Sequence, residues 1–244
     1  MKILLLDIET APNVAAVWSI HKQLITVNQL IDSSKVLCWS GKWYGHPGIL
    51  YDSVHQSAPD HMIRLIRDLL DIADVVVHYN GSSFDIPTLN REFLVHNLKP
   101  PAPYKQIDLL KVARKQFRFT SNKMDYIARM LKLRTKLATG GYKLWLDCMS
   151  NNSSAWKRME RYNKNDVKIL ESLYMKFLPW IDNHPSHGLY DESLVCPNCG
   201  SSRYQRRGCA YTKVSRYSRY QCNNCSSWFR GNKSSVTGDK LVTL

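Results

Sequence analysis

The sequence predicts an α/β protein with a mixed central sheet flanked by helices, followed by a small C-terminal module. Apolar runs typical of buried strands come first, and helical stripes then alternate with strands, which is the pattern of an α/β domain. Beyond residue 190 these stripes give way to Cys, Arg, Tyr and Ser. With 244 residues and 44% hydrophobic composition, the chain can form one substantial core and an appended module.

Alternating or continuous apolar runs predict strands at 2–9, 35–44, 48–54 and 75–77, the second and third of them joined as a hairpin. Helical stripes predict helices over 60–73, 84–97, 122–133 and 154–181, with Ser153 or Ser154 capping the last. Residues 104–117 are predicted to form a short strand that leads into a basic helix.

Four segments follow from these elements. We predict an α/β domain over 1–181, a polar linker over 182–190, a cysteine-rich module over 191–230 and a flexible tail over 231–244.

The charge of the chain favours a polyanionic partner. Its 34 Lys and Arg residues outnumber 20 Asp and Glu, giving a net charge of +14. No apolar run reaches the roughly 20 residues that a membrane-spanning helix needs. The N-terminal apolar run stops at Asp7, too early for a signal peptide. We therefore expect a cytoplasmic or nucleoid-associated protein that does not bind a membrane.

Four carboxylates stand out by position. Asp7 and Glu9 are two residues apart on a strand and therefore share a face. Asp85 opens a helix directly after the strand at 75–77, and Asp166 lies on the last helix, one turn beyond Tyr162. Each acid has an alternative interpretation on its own: a solvated strand end for the first pair, a favourable helix dipole for Asp85.

Taken together, the four acids indicate a metal site. Carboxylate oxygens suit hard cations such as Mg²⁺ or Mn²⁺. Two such ions, roughly 3.5–4 Å apart, can drive phosphodiester hydrolysis without a side-chain nucleophile.

The motifs resemble those of DnaQ-like (DEDD) 3′–5′ exonucleases. Asp7-Ile-Glu9-Thr10 matches the D-x-E motif, and Asn80-Gly-Ser-Ser-Phe84-Asp85 looks like the second motif. Tyr162-Asn-Lys-Asn-Asp166 is similar to the Y-x-x-x-D motif of the tyrosine subclass; the histidine subclass would have His where this chain has Arg161.

The resemblance covers residues 1–181 and implies an RNase H-like fold. It implies that Asp7, Glu9, Asp85 and Asp166 hold two metal ions while Tyr162 orients the attacking water. Thr10 and Asn80 are expected near the substrate end. We expect Phe84 to serve in packing, Asp125 to be structural, and Asp108 to act as a helix N-cap rather than assist the site.

The C-terminal module carries two C-x-x-C pairs, Cys196/Cys199 and Cys222/Cys225. This spacing predicts a structural tetrahedral Zn²⁺ site of the Cys₄ type, which would supply much of the folding free energy. A redox-active C-x-x-C is the competing interpretation. Cys209 is a poorly spaced candidate ligand.

Cations alternate with aromatic residues between the two pairs. A soluble hairpin whose tyrosines pack on a small core would explain them, but their density favours a nucleic-acid surface. The candidate contacts are Arg206, Arg207, Tyr211, Arg216, Tyr217, Arg219 and Tyr220.

The leading hypothesis is a 3′–5′ exonuclease acting on DNA, at single-stranded or frayed 3′ ends, in replication, repair or proofreading. A separate DNA polymerase or another replication protein is then a candidate partner. The alternatives are a 3′–5′ exoribonuclease, an endonuclease, and a non-catalytic nucleic-acid-binding protein on the same scaffold.

Overall fold

The computed structural model describes residues 1–189, 194–236 and 241, and the chain divides into two compact units. The N-terminal unit is Lys2–Leu173, and the C-terminal unit runs from Tyr174 onward. Residue 190 of the predicted linker, the first three residues of the predicted module and most of the predicted tail beyond 236 lie outside the described residues. The predicted segment boundaries therefore remain predictions.

Ten strands are present in the described residues: β1 (Ile3–Thr10), β2 (Val14–Ala15), β3 (Leu30–Asp32), β4 (Val36–Trp43), β5 (Leu50–Ser53), β6 (Val75–His78), β7 (Lys105–Asp108), β8 (Tyr204–Tyr211), β9 (Arg216–Cys222) and β10 (Trp228–Ser234). The α-helices are α1 (Pro59–Asp71), α2 (Asp85–Val95), α3 (Leu109–Gln116), α4 (Met124–Met130), α5 (Lys143–Met149) and α6 (Ser153–Phe177). Short 3₁₀ turns occupy Val27–Gln29, Leu178–Trp180 and His187–Leu189. No helix in the described part of the chain is both long and apolar enough to cross a membrane.

The central sheet of the N-terminal unit has the strand order β5-β4-β1-β6-β7. β1 pairs antiparallel with β4 and parallel with β6, so the sheet is mixed, as the sequence predicts. Leu4, Leu5 and Leu6 are all buried, because helices cover both faces of this central strand. The predicted α/β fold is confirmed.

Helical stripes pack on this sheet as their periodicity predicts. On α1, Ile63, Ile66 and Leu70 are buried in a cluster that also contains Leu4 and Leu6 of β1. Each such side chain contributes on the order of 1.5–3 kcal/mol when fully buried. The sheet is thereby fixed as a rigid support for residues at the ends of its strands.

The last helix differs from its predicted bounds at both ends. The Oδ1 of Asn152 accepts hydrogen bonds from the amides of Ser154 and Ala155 at 3.0 and 3.2 Å, so Asn152 is the cap in place of Ser153 or Ser154. The helix ends at Phe177 rather than 181, because Pro179 has no N–H to continue the ladder.

Elements without a sequence prediction lie in the segments 11–34 and 134–152. The two-stranded β2–β3 sheet lies in the first, and α5 lies in the second. Leu144 and Cys148 of α5 are buried in a cluster with Leu37 and Cys38 of β4. Seven residues of helix are too few for a clear stripe, which is why this element escaped prediction.

The C-terminal module contains an antiparallel sheet of order β10-β9-β8. Its last strand runs to Ser234, beyond the predicted module end at 230. Among its described residues from 194 onward, only Cys196, Cys222 and Ser227 are buried. A module with so little core needs another source of folding free energy.

Candidate active site

Two carboxylates emerge from the C-terminal end of β1. Asp7 is paired with Ser40 and Glu9 with Cys38 on the antiparallel neighbour β4. Ile8 between them is buried in the core beneath the opposite face. The alternation of the strand therefore places both acids on one face of the sheet.

Helix α6 brings the third carboxylate to that face. One oxygen from each of Asp7, Glu9 and Asp166 lies within 4.8 Å of the others. The side chain of Asp166 is almost fully buried, at 1% exposure, and its Oδ1 has no hydrogen-bond partner among the described residues. A buried carboxylate oxygen without a donor is costly unless a cation binds it.

Asp85 lies beside this group but outside it. It is the first residue of α2, it is buried, and its Oδ1 accepts a hydrogen bond from the Ile8 amide at 3.2 Å. The fourth predicted ligand is thus attached to the backbone of the strand that carries Asp7 and Glu9. The structure brings three predicted carboxylates together and places the fourth next to them.

The crowding of these acids shows in their proton affinities. Burial, followed by the charges of Glu9, Asp166 and Asp85, raises the pKa of Asp7 well above its usual value. Burial and the Asp166 charge raise the pKa of Glu9 to about 8. Burial raises the pKa of Asp85 to about 7, although the Ile8 hydrogen bond opposes the shift. Such a set favours a bound cation.

Tyr162 lies one turn before Asp166, and its hydroxyl accepts a hydrogen bond from Lys136 at 3.0 Å. The Lys136 ammonium also donates to Asp166 Oδ2 at 2.5 Å. Burial alone would lower the pKa of Lys136, but Asp166 and Tyr162 raise it above its usual value. Sequence reasoning missed Lys136, because a single lysine in a loop carries no periodic signal.

Two further side chains position this group. The Asn163 amide, fully buried, donates to Asp7 Oδ2 at 2.7 Å. Asp125 accepts a hydrogen bond from the Lys136 backbone amide at 2.9 Å and pairs with Arg129 at 2.8 Å, in line with its expected structural role. Asn163 lies inside the third motif, between the two residues that define it, and its spacing could have identified it.

Two clefts lie near Tyr162. One, of about 470 Å³, is lined by Thr10, Ala11, Pro12, Thr139, Gly141, Tyr142 and Trp145. Trp145 contacts the Tyr162 ring edge-on, with the ring centroids 6.0 Å apart. The other, of about 210 Å³, is lined by Leu137, Ala138, Thr139, Leu144, Arg158, Arg161 and Tyr162. Thr10, the residue after Glu9, therefore lines the larger cleft.

The turn before α2 depends on Asp108. Asn80 has a positive φ of 67°, and its amide donates to Asp108 Oδ1 at 2.9 Å. A Cβ on Gly81 would lie 2.4 Å from the His78 ring, so the turn needs glycine there. Asp108 also accepts from the Leu110 amide at 3.0 Å, which confirms its predicted role as an N-cap.

The expectation for Phe84 was wrong. Its side chain is 45% exposed rather than packed in the core. The residue stands just outside α2, where Asp85 rather than Phe84 turns inward. Within the second motif, the acid takes the buried position and the aromatic ring faces solvent.

The C-terminal module holds a second cluster, the four cysteines Cys196, Cys199, Cys222 and Cys225. Each offers a sulfur within 4.8 Å of the others, in line with the C-x-x-C pairing. Burial would raise the pKa of Cys222, but the Cys225 and Asn224 amides lower it to about 7. Four thiols at this spacing fit a tetrahedral zinc ion. Cys209 is not part of the group.

The predicted contact residues of this module divide between two faces of its sheet. Arg206, Tyr211, Arg216 and Tyr220 share one face by strand register, whereas Tyr217 and Arg219 lie on the other. Arg207 accepts a hydrogen bond from Arg219 Nε through its carbonyl at 2.9 Å. The residues of the predicted nucleic-acid surface are therefore divided between the two faces of this sheet.

Comparisons with known proteins agree with this fold. No curated protein sequence matches the chain. Among solved structures, the family B DNA polymerase of the hyperthermophilic archaeon Pyrobaculum calidifontis is similar, with a TM-score of 0.54 and 18% identity over 73% of this chain and 24% of that chain. The chain spans about a quarter of the length of that polymerase, and the likeness concerns the fold.

A family model matches residues 48–178, just over half of the chain, and its description is the RNase_H superfamily. The match includes Asp85, Lys136, Tyr162 and Asp166, and it begins after β1 with its two acids. The chain belongs to the RNase H superfamily.

Proposed function

We propose that the chain is a two-metal-dependent 3′–5′ exonuclease that hydrolyses DNA at single-stranded or frayed 3′ ends. The observation that carries the proposal is that one oxygen from each of Asp7, Glu9 and Asp166 lies within 4.8 Å of the others, while Asp166 Oδ1 has no hydrogen-bond partner among the described residues. Membership of the RNase H superfamily supports nuclease chemistry. The 3′–5′ direction and the choice of DNA rest on the motif resemblance.

The donor set fits Mg²⁺ or Mn²⁺, because every candidate ligand is a carboxylate oxygen. Asp7, Glu9 and Asp166 would hold the cations, with Asp85 as the fourth ligand beside them. Bound there, divalent cations supply Lewis acidity that activates water and offsets charge on the phosphate. The raised pKa values of Asp7 and Glu9 also indicate that a bound cation would stabilise their charged forms.

The Lys136 ammonium links Tyr162 to Asp166. Burial raises the pKa of Tyr162 above its usual value, so the side chain stays a neutral hydroxyl and can orient a water without taking its proton. Lys136 fixes the position of that hydroxyl and offsets part of the carboxylate charge. Tyr162 is then an orienting residue, and Lys136 holds it in place.

The two clefts suit the parts of a terminal nucleotide. Tyr142, 59% exposed, and Trp145 give the larger cleft aromatic walls on which a base can stack. Arg158 and Arg161 give the smaller cleft two cations for a backbone phosphate. Both clefts share Thr139, and each contains or contacts Tyr162, so a nucleotide in either would lie next to the carboxylates.

The test is a time course with 5′-labelled single-stranded DNA, duplex DNA and RNA, in Mg²⁺, Mn²⁺ or chelator. We expect a ladder of shortening products that needs the metal and is fastest on single-stranded DNA. Asp166→Asn should lower the rate at least about 1,000-fold, since one ligand and its charge are lost. Asp147→Asn, at a partly exposed acid paired with Lys143 and outside the carboxylate group, is the matched control.

Each other outcome has a definite meaning. Internal cleavage products would make the chain an endonuclease, and a faster ladder on RNA would make it an exoribonuclease. Full activity of Asp166→Asn would overturn the assignment of the site. Tight binding without hydrolysis under every metal would leave a non-catalytic nucleic-acid-binding protein.

A further inference from the structure

The C-terminal module concentrates positive charge. Residues 194–236 contain eight Lys and Arg and no Asp or Glu, and Asp191 and Glu192 directly precede them in the sequence. None of these eight cations forms an ion pair with a carboxylate among the residues that the structure describes. Unpaired cations at this density attract a polyanion through counterion release.

Strand register sorts the side chains of this module into two faces. Tyr204 pairs with Cys222, and Phe229 with Tyr220, so these residues share one face. The rings of Tyr204, Tyr220 and Phe229 pack on one another with centroids 5.5–5.8 Å apart. This face, next to the cysteine cluster, is used for the small core of the module.

The opposite face, which we name the arginine–aromatic face, has a different composition. It carries Gln205, Tyr217, Arg219, Gln221, Trp228 and Arg230, as the pairings of β9 with β8 and β10 require. Arg230 lies over the Tyr217 ring with its guanidinium carbon 3.9 Å from the centroid, and Arg219 lies over Trp228 at 5.1 Å. Trp228 is 53% exposed.

These pairs suit unpaired bases better than duplex. A cation over an exposed aromatic ring is worth about 0.5–1 kcal/mol. A base stacked on an aromatic side chain is worth about 1–3 kcal/mol, so a base can displace the guanidinium and gain from doing so. The displaced guanidinium can then bind the neighbouring phosphate through its remaining N–H groups, since Arg219 uses Nε and Arg230 uses Nη1 for backbone carbonyls. In a duplex the base faces are stacked on one another and cannot make this exchange.

We propose that the arginine–aromatic face is a binding site for single-stranded nucleic acid, with Tyr217 and Trp228 stacking bases and Arg219 and Arg230 binding phosphates. Gln205 and Gln221, which are paired across the sheet, offer amide groups to base edges. The face would retain a strand by an affinity that does not require hydrolysis. The proposal therefore stands or fails independently of the nuclease assignment.

The test measures binding by fluorescence anisotropy of labelled oligothymidylate and of a duplex of equal length. The full chain is used with Asp7→Asn and without added Mg²⁺ or Mn²⁺, so that no hydrolysis interferes. Tyr217→Ala with Trp228→Ala should weaken single-strand binding at least about tenfold and leave duplex binding nearly unchanged. One zinc per chain verifies that each variant keeps the folded module.

The contribution of the arginine charges is tested with two double variants, one on each face of the sheet. Arg219→Gln with Arg230→Gln should reduce the slope of log affinity against log salt by about 1.4, since two phosphate contacts are lost. Arg206→Gln with Arg216→Gln removes equal charge from the other face and should change the slope by less than half as much. Equal slopes from both pairs would overturn the face assignment. Unchanged affinity in all the variants would exclude a nucleic-acid site and point to an acidic protein partner.

Discussion

The carboxylate group of the N-terminal unit and the cysteine cluster of the C-terminal module are both candidate metal sites, yet they relate to their folds in opposite ways. Asp7, Glu9 and Asp166 stand beside a core of buried leucines and helical stripes that forms without them. The cysteine cluster sits in a module whose only other buried residue in the described part is Ser227. Cys199 and Cys225 themselves remain partly exposed.

This difference predicts that the carboxylate group and the cysteine cluster have different roles. Four thiols complete a tetrahedral coordination by themselves, which is typical of a structural site. The carboxylates repel one another, and Asp166 Oδ1 has no hydrogen-bond partner among the described residues. Both features reduce the stability of the fold and are typical of a functional site. We therefore expect metal to be needed for folding in one unit and for chemistry in the other.

The largest effect is expected at the cysteines. Cys222→Ser should abolish zinc binding and unfold the module, since structural zinc contributes on the order of 10–16 kcal/mol in comparable sites. Zinc per chain and the protease sensitivity of the module would measure this. Cys209→Ser, in β8 and outside the cluster, should retain one zinc. Full zinc content in Cys222→Ser would refute the assignment of this ligand.

The next effect concerns the rate of the chemical step. Lys136→Met should lower the rate of hydrolysis about 100-fold, equal to roughly 2.7 kcal/mol, because Tyr162 and Asp166 lose their shared donor. Single-turnover rates on a 5′-labelled strand would show it, measured below the melting temperature of the variant, which should fall because Asp166 loses its buried partner. Lys143→Met removes an exposed ammonium as a control. A wild-type rate in Lys136→Met would remove that lysine from the mechanism.

A smaller effect, of opposite sign, is expected on stability. Glu9→Gln should raise the melting temperature of the metal-free protein by about 2–4 °C for each 1 kcal/mol of repulsion relieved. It should also reduce the stabilisation that Mg²⁺ gives the wild type. Thermal unfolding with and without Mg²⁺ checks both. Glu92→Gln, at a buried acid that pairs with Arg91, should instead lower the melting temperature.

The smallest effect tests how Lys136 is held. Asp125→Asn keeps an acceptor for the Lys136 amide but loses the charge, so the hydrolysis rate should fall only about fivefold. In a Lys136→Met background the same substitution should cost nothing further. A double-mutant cycle measures this coupling, and additive losses would show that Asp125 acts elsewhere.

Much of the fold followed from local patterns. The apolar run of β1 and the stripe of α1 are typical of a buried strand and an amphipathic helix, and the paired C-x-x-C motifs have a spacing typical of a four-cysteine metal site. The bounds of α6 did not follow from its stripe. Asn152, Ser153 and Ser154 are all suitable caps for its start, and a single proline at 179 ends it. Phe84 was misjudged, because an aromatic residue at a helix start carries no sign of which way it faces.

The sequence by itself determined the types of ligand, their order along the chain and which neighbours share a face within each element. Tertiary structure alone decided that Lys136 enters the carboxylate group, that Asp85 stands beside it, and that Tyr217 of β9 and Trp228 of β10 lie on the same face of the module. The physical reason is that backbone geometry fixes side-chain direction over a few residues. The distance between side chains on different elements is instead set by packing of the whole core.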